Sequence, residues 1–207
     1  MRLPRFYPIL DTAMLAIPLE AAAGILLDEG VQILQLRHKK HFGREMFETA
    51  GRIATLCRQA GALFVLNDRA DLAALLDAAV HLGQEDLTPE QARRVMGSAV
   101  IGYSTHNEAQ LRSSNEQPAD YVALGPIFQT LSKRNPDPVV SVLGLKRLRS
   151  LTDRPLVAIG GITRENADAA LAAGADSVAV IGDLWARDGD RAALRERARE
   201  WMRLTNE

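Results

Sequence analysis

The sequence has little of several features that mark particular classes of protein. Cys57 is the only cysteine among 207 residues, which excludes an intramolecular disulfide, and its place in a helical pattern favours a small core residue over a nucleophile. No apolar run approaches the ~20 residues of a membrane-spanning helix, and no secretory signal opens the chain. The formal net charge of −1 gives no indication of nucleic-acid or anionic-membrane binding. We therefore expect a soluble cytoplasmic protein.

Short apolar runs alternate with helical patterns along the whole chain. The helix signals include a capping box from Thr88 to Gln91 with Pro89 at the first helical position. We count eight strand signals and eight helix signals, and strict alternation is typical of parallel strands joined by helical crossovers. The sequence therefore predicts an α/β fold, a single (β/α)8 TIM barrel over residues 1–207, with the active site at the C-terminal ends of the strands.

An open, doubly wound parallel sheet is the alternative fold. It is disfavoured because no glycine-rich dinucleotide fingerprint follows the first strand, and because the number of units is eight. Polar clusters also follow nearly every predicted strand, whereas an open sheet concentrates its ligand near one switch point.

Two acidic residues end neighbouring predicted strands. The apolar run at 63–66 stops at Asn67 and Asp68, and the run at 79–82 is followed closely by Asp86. In a parallel sheet both strands point the same way, so the two carboxylates could converge at one edge. Such a pair suggests a hard cation, and we expect Mg²⁺ carrying a phosphate-bearing substrate. The alternative is a pair of solvated loops.

Basic residues follow the second predicted strand. Arg37 and Lys39 alternate at its end, so both can point the same way, and we interpret them as an anion site facing Asp68 and Asp86. The following Lys40 and His41 are better explained as part of a solvated loop.

Backbone N–H groups offer a second anion site. Gly160 and Gly161 precede Thr163, which is predicted to cap the next helix, and Ile181-Gly182 follows the eighth strand. The alternative is a tight turn between strand and helix. Barrels commonly bind phosphate at this place, so the pair of sites implies two phosphorylated partners or one bisphosphate.

The longest irregular segment, residues 126–142, carries hydroxyls and an ammonium at Thr130, Ser132 and Lys133. These groups suit a terminal phosphate that the segment closes over, and the alternative is a mobile surface loop. His106 follows a strand and is a candidate acid/base group, although we favour a structural role for it. His81 lies inside a strand and receives no role.

Six stretches of sequence match a known family in order and spacing. They are QLRHK at 35–39, NDRADLA at 67–73, VHLGQEDL at 80–87, IGYSTH at 101–106, DYVALGPIFQTLSK at 120–133 and VAIGGI at 157–162. The chain resembles the thiamine phosphate synthase (thiamine-phosphate pyrophosphorylase) family over most of its length. The resemblance implies a transferase of thiamine biosynthesis that requires Mg²⁺. It would join hydroxymethylpyrimidine pyrophosphate to the nitrogen of a thiazole phosphate, giving thiamine phosphate and pyrophosphate.

The resemblance also implies a dissociative mechanism, in which pyrophosphate leaves before the thiazole nitrogen captures a pyrimidine methyl cation. No side-chain nucleophile is needed. The partners expected for this protein are small-molecule substrates, and we expect it to bind neither nucleic acid nor a membrane. A homodimer is one assembly that this interpretation allows.

Carried over by position, the family's functional residues fall into four groups. The pyrimidine would be bound by Gln35 and Ser104, the pyrophosphate by Arg37, Lys39, Asn67 and Lys133, the Mg²⁺ by Asp68 and Asp86, and the thiazole phosphate by Thr130, Ser132, Gly161, Ile181 and Gly182. The catalytic residues among these would be Arg37, Lys39, Ser104 and Lys133.

Three positions depart from the family pattern. Gln129 stands where the family usually has proline, Ser132 where it has threonine and Gly182 where it has serine. Loss of the hydroxyl at Gly182 would weaken thiazole phosphate binding by about 1.5–3 kcal/mol without abolishing the chemistry. Two other functions remain open: a thiazole tautomerase that uses His106 as acid/base without Mg²⁺, and a non-catalytic barrel that binds thiamine phosphates.

Overall fold

The structure is a computed structural model that describes residues 2–130, 137–185 and 190–205. Its eight parallel strands pair in chain order, and the last pairs with the first, so the sheet closes into a barrel. The strands are β1 Phe6–Asp11, β2 Ile33–Arg37, β3 Leu63–Asn67, β4 Ala79–Leu82, β5 Ile101–Thr105, β6 Tyr121–Leu124, β7 Leu156–Ile159 and β8 Ser177–Val180. This closure confirms the predicted single-domain (β/α)8 barrel and excludes the open sheet.

A helix follows each strand. The helices are α1 Leu19–Asp28, α2 Arg44–Gln59, α3 Ala70–Leu75, α4 Pro89–Met96, α5 Glu108–Ser114, α6 Ser141–Leu148, α7 Ala167–Ala172 and α8 Arg191–Thr205. Short 3-10 turns occupy Arg149–Leu151 and Gly182–Leu184. No helix within the described ranges is long and apolar enough to cross a membrane.

Successive residues of each strand alternate between two hydrophobic cores. In β1, Phe6 and Leu10 belong to the core between the barrel and its helices, whereas Tyr7 and Ile9 belong to the core inside the barrel. Because side chains alternate across a strand, the inward-facing series continues towards the C-terminal end of each strand. There it becomes polar in four neighbouring strands, at Gln35, Asn67, His81 and Ser104.

Tyr121 of β6 occupies the barrel interior because its neighbour on β5 is a glycine. Gly102 pairs with Tyr121 in the sheet register, and a Cβ atom on Gly102 would lie 2.1 Å from Cζ of the tyrosine. No side chain larger than hydrogen fits there while the tyrosine ring stays in place.

The start of α7 differs from its prediction. Thr163 does not occupy the N-cap position of this helix, which is held by Asn166. The N–H of Thr163 donates to Oδ1 of Asn166 at 2.8 Å, and its carbonyl accepts from the N–H of Ala167 at 3.0 Å. Residues 163–166 form a turn, and the helix begins only at Ala167. The prediction took the first capping residue of this stretch, whereas Asn166 holds the cap position.

Cys57 lies in α2 and is fully buried. Burial raises the pKa of its thiol to about 12, so the group stays protonated at neutral pH. The structure thus confirms the prediction of a small core residue in place of a nucleophile.

Candidate active site at the carboxyl edge of the barrel

A cavity of about 470 Å³ opens at the C-terminal ends of the strands. Most of the residues predicted from the sequence line it: Gln35, Arg37, Lys39, Asn67, Asp68, Ser104, Thr130, Gly161, Ile181 and Gly182. Asp86 is not part of this lining, but its side chain interacts with that of Asp68. Ser132 and Lys133 lie outside the described residues.

The two predicted metal ligands interact with each other beside the cavity, which Asp68 lines. Burial raises the pKa of Asp68, Lys39 lowers it, and a hydrogen bond to Asp86 and the charge of that second carboxylate raise it again. Oδ2 of Asp86 also accepts the N–H of Gly83 at 2.6 Å. The two acidic side chains are therefore neighbours rather than separate solvated groups.

The backbone of Asp68 adopts the left-handed region, with a φ of 67°. Its N–H donates to the carbonyl of His81 at 2.8 Å, which ties the end of β3 to β4. Aspartate is among the few residues with a side chain that tolerate this conformation. The turn directs the carboxylate towards Lys39, whose Nζ lies 2.6 Å from Oδ2 of Asp68.

This donor set fits Mg²⁺. The ion is usually held by one or two carboxylates, with water and substrate phosphate completing its shell, so a larger cluster of ligands is not needed. Within the described part of the chain no group of three acidic, histidine or cysteine side chains could hold a metal. Burial and mutual repulsion oppose the charge of Asp68 beside Asp86, and a divalent cation would relieve both effects.

Asn67 offers an unused donor to the same cavity. Its Nδ2 is buried and has no hydrogen-bond partner among the described residues. An orphaned buried N–H costs free energy unless a ligand accepts from it. This atom therefore supports an anion site next to Asp68.

Arg37 reaches from β2 into the cavity, whose lining it shares with Asp68. It forms an ion pair with Asp11 at the end of β1. The register pairs Asp11 with Arg37 directly, and Oδ1 of Asp11 also accepts the N–H of Ala13 at 2.9 Å. The almost fully buried Asp11 thus fixes where the guanidinium lies.

The two glycines on the far side of the cavity are required by close backbone contacts. Gly160 and Gly161 have φ values of 95° and 65°. A Cβ on Gly161 would lie 2.3 Å from the carbonyl oxygen of Gln129. Only glycine accommodates both the conformation and the contact. The prediction of a helix N-terminus at Thr163 is wrong, since α7 begins at Ala167. The candidate for a second anion site is therefore the loop backbone at Gly161, Ile181 and Gly182, which line the cavity.

His106 is held by the backbone. Its Nδ1 donates to the carbonyl of Gly125 at 2.6 Å and lies 3.5 Å from Oδ2 of Asp137. This contact agrees with the structural role favoured on sequence grounds, although the ring also lines the cavity.

Comparison with known proteins shows the family of the chain. The family model described as thiamine monophosphate synthase matches residues 6–184. The chain belongs to the thiamine monophosphate synthase family. The thiamine-phosphate synthase of Koribacter versatilis is 46% identical over 200 residues, covering 93% of this chain and 94% of the relative. That of Natronomonas pharaonis is 44% identical over 174 residues, covering 82% and 81%.

Solved structures lead to the same family. Thiamine phosphate pyrophosphorylase from Pyrococcus furiosus matches with a TM-score of 0.86 at 30% identity, covering 97% of this chain and 95% of that one. The resemblance found in the six sequence stretches is thereby confirmed.

Four residues that contact the predicted site residues, directly or through one another, were not predicted from the sequence: Asp11, Tyr7, His81 and Tyr121. Gln35 donates to the Tyr7 hydroxyl at 2.8 Å, and Ser104 lies 2.9 Å from Nε2 of His81. Asp11 carried a signal, because it ends a strand with a carboxylate. The two tyrosines carried none, since they lie within apolar runs.

Proposed function

We propose that this protein acts as a thiamine phosphate synthase. It transfers the hydroxymethylpyrimidine group from its pyrophosphate ester to the nitrogen of thiazole phosphate, and it releases thiamine phosphate and pyrophosphate. The observation that carries the proposal is the convergence of Lys39, Asp68 and Asp86 at one edge of the cavity, beside the orphaned amide nitrogen of Asn67.

The pyrophosphate group would lie at this acidic and basic edge. Asp68 and Asp86 would hold Mg²⁺, which when bound neutralises charge on the leaving pyrophosphate. Arg37 and Lys39 supply cations to the same group, and Asn67 donates through Nδ2. Lys133, outside the described residues, is proposed to add a further cation.

The reaction needs charge stabilisation more than a nucleophile. The C–O bond breaks and its electron pair leaves on pyrophosphate, where Arg37 and Lys39 stabilise the developing charge. The thiazole nitrogen then supplies the electron pair of the new C–N bond to the pyrimidine methyl cation. The thiol of Cys57 is buried in α2 and takes no part.

The remaining subsites follow from the cavity lining. Gln35 and Ser104 are proposed to bind the pyrimidine, and Gly161, Ile181 and Gly182 to bind the thiazole phosphate with Thr130 and Ser132. A Cβ at Gly182 would meet only Cε of Met14, at 3.7 Å. A serine would therefore fit at this position. Compared with serine, Gly182 lacks one hydroxyl donor, and the phosphate would be held by backbone N–H groups.

The test is to incubate the protein with hydroxymethylpyrimidine pyrophosphate, thiazole phosphate and Mg²⁺, and to measure thiamine phosphate as fluorescent thiochrome. We expect product only when both substrates are present, loss of activity with excess EDTA, and recovery when Mg²⁺ is added back. Isomerisation of a carboxylated thiazole phosphate alone would show a tautomerase instead. Thiamine phosphate binding without turnover would show a sensor, and either result overturns the proposal.

A further inference from the structure

A chain of hydrogen bonds crosses the barrel interior between the two residues proposed to bind the pyrimidine. Nε2 of Gln35 donates to the Tyr7 hydroxyl at 2.8 Å, and that hydroxyl lies 2.8 Å from the hydroxyl of Tyr121. The Tyr121 hydroxyl lies 3.0 Å from Nδ1 of His81, and Nε2 of His81 lies 2.9 Å from Oγ of Ser104. We call these five residues the interior chain.

The hydrogens of the interior chain can be assigned by counting. Burial raises the pKa of both Tyr7 and Tyr121, so each hydroxyl keeps its single hydrogen. Tyr7 accepts from Gln35, and within residues 2–130, 137–185 and 190–205 its hydroxyl has one other partner, Tyr121. The Tyr7 hydrogen therefore goes to Tyr121, because the opposite direction would leave a buried hydrogen without an acceptor.

The assignment then continues to the cavity. Tyr121 donates its hydrogen to Nδ1 of His81, so the hydrogen of the imidazole ring lies on Nε2, which donates to Oγ of Ser104. The hydroxyl hydrogen of Ser104 is left for the cavity that this residue lines. At the Gln35 end of the interior chain, the side-chain amide donates a hydrogen to Tyr7. The side-chain carbonyl oxygen of Gln35 is left as an acceptor for a ligand in the same cavity.

We propose that Tyr121 is a positioning residue, which acts through the interior chain to present a donor at Ser104 and an acceptor at Gln35 to the pyrimidine ring. This inference rests on the proposed function for the identity of the ligand. The pattern suits a ring that carries an amino group and an unprotonated ring nitrogen, since the amino group donates to Gln35 and the ring nitrogen accepts from Ser104.

The surroundings of Tyr121 leave its ring little freedom. It stacks on the ring of His81 with centroids 5.6 Å apart and meets the edge of Tyr7 at 6.2 Å. Gly102 leaves space for it on the third side. Tyr121→Phe therefore keeps the packing and removes the hydroxyl alone. The matched control is Tyr103→Phe on neighbouring β5, which removes a hydroxyl from a tyrosine outside the interior chain.

The direction of the interior chain can be measured without substrate. In protein labelled with ¹⁵N-histidine, long-range ¹H–¹⁵N correlations distinguish the two neutral tautomers. We expect hydrogen on Nε2 of His81 in the wild type, whereas hydrogen on Nδ1 would overturn the proposal. This result does not depend on turnover, so it separates a failure of the interior chain from a failure of the proposed function.

The role of Tyr121 is tested by a double-mutant cycle with Ser104. We expect Tyr121→Phe to lower kcat/KM for the pyrimidine pyrophosphate about 10-fold in the wild-type background, but by less than about twofold in Ser104→Ala, because both changes remove the same donor. KM for thiazole phosphate and all constants of Tyr103→Phe should stay unchanged. Equal losses in both backgrounds would show a general structural effect and contradict the proposal. If Tyr121→Phe fails to fold, the tautomer of His81 in the wild type still tests the proposal.

Discussion

At the scale of single residues, Arg37 illustrates how the barrel edge fixes a cation beside the cavity. An arginine side chain is long and flexible, and holding it in one place costs conformational entropy. Asp11 offsets that cost with a buried ion pair, and its other oxygen is fixed by the N–H of Ala13. Asp11 touches no substrate in the proposed reaction, so its contribution is to aim the guanidinium.

We predict that Asp11→Asn weakens binding of the pyrimidine pyrophosphate. The amide keeps the shape of the side chain but removes the charge that orients Arg37, and charge-assisted hydrogen bonds contribute about 1.5–3 kcal/mol. Steady-state kinetics should show KM for this substrate raised about 10-fold or more, with KM for thiazole phosphate nearly unchanged.

Glu20→Gln is the control for that experiment, because it breaks a comparable arginine pair, with Arg52, that is exposed and lies on α1 and α2 outside the cavity. Its kinetic constants should match the wild type. The same rise in both KM values for Asp11→Asn would contradict a specific role in pyrophosphate binding.

Single residues also show what the sequence could reveal about the site. Asn67 and Asp68 were predictable because they are polar residues that end an apolar run at the end of a strand. His81 and Tyr121 were not, since each lies inside such a run and gains its role only when closure of the barrel brings β1, β4, β5 and β6 around a common interior. Hydrogen bonds between residues 114 positions apart leave no local pattern.

At the scale of elements, β5 depends on Gly102. The residue lies between His81 and Tyr121 in the register of three adjacent strands. We predict that Gly102→Ala forces the Tyr121 ring or the strand to shift and lowers the free energy of unfolding by about 1–3 kcal/mol. Urea unfolding followed by circular dichroism measures this change.

Gly24→Ala gives the matched comparison for Gly102→Ala. Gly24 lies within α1, and a Cβ there would meet nothing within 4 Å. Alanine is the better helix former by about 1 kcal/mol, so this variant should be as stable as the wild type or more so. Equal stability of the two alanine variants would show that Tyr121 does not need the space at Gly102.

Element boundaries were predictable where local signals agreed. The bounds of β4, β6 and β7 match their apolar runs, and α4 begins after the capping box at Thr88. The start of α7 was missed because Thr163 and Asn166 are both good capping residues, and the choice between them depends on a side chain that turns back on the backbone.

At the scale of the whole molecule, closure of the sheet does more than complete the fold. It brings β8 next to β1, and Trp201 of α8 then stacks on Phe6 with ring centroids 5.2 Å apart. Counting eight strand and helix units predicted this closure, because eight parallel strands form a barrel whose interior side chains can fill. The partners of individual side chains inside that barrel depend on register, which the count does not specify.

Closure also decides where the acidic residues lie. Asp68 and Asp86 follow consecutive strands, and the parallel direction of those strands puts both carboxylates on one rim. We propose that this pair holds the Mg²⁺ that assists departure of pyrophosphate. Asp71 follows Asp68 closely in sequence, but it pairs with Arg69 on the exposed surface and provides a control carboxylate.

The most direct test is the initial rate of thiamine phosphate formation measured against Mg²⁺ concentration for the wild type, Asp86→Asn and Asp71→Asn. We predict a saturable Mg²⁺ dependence, with the half-saturating concentration raised at least about 10-fold by Asp86→Asn and unchanged by Asp71→Asn. Identical Mg²⁺ curves for all three proteins, or full activity without a divalent cation, would show that Asp68 and Asp86 do not hold a catalytic Mg²⁺.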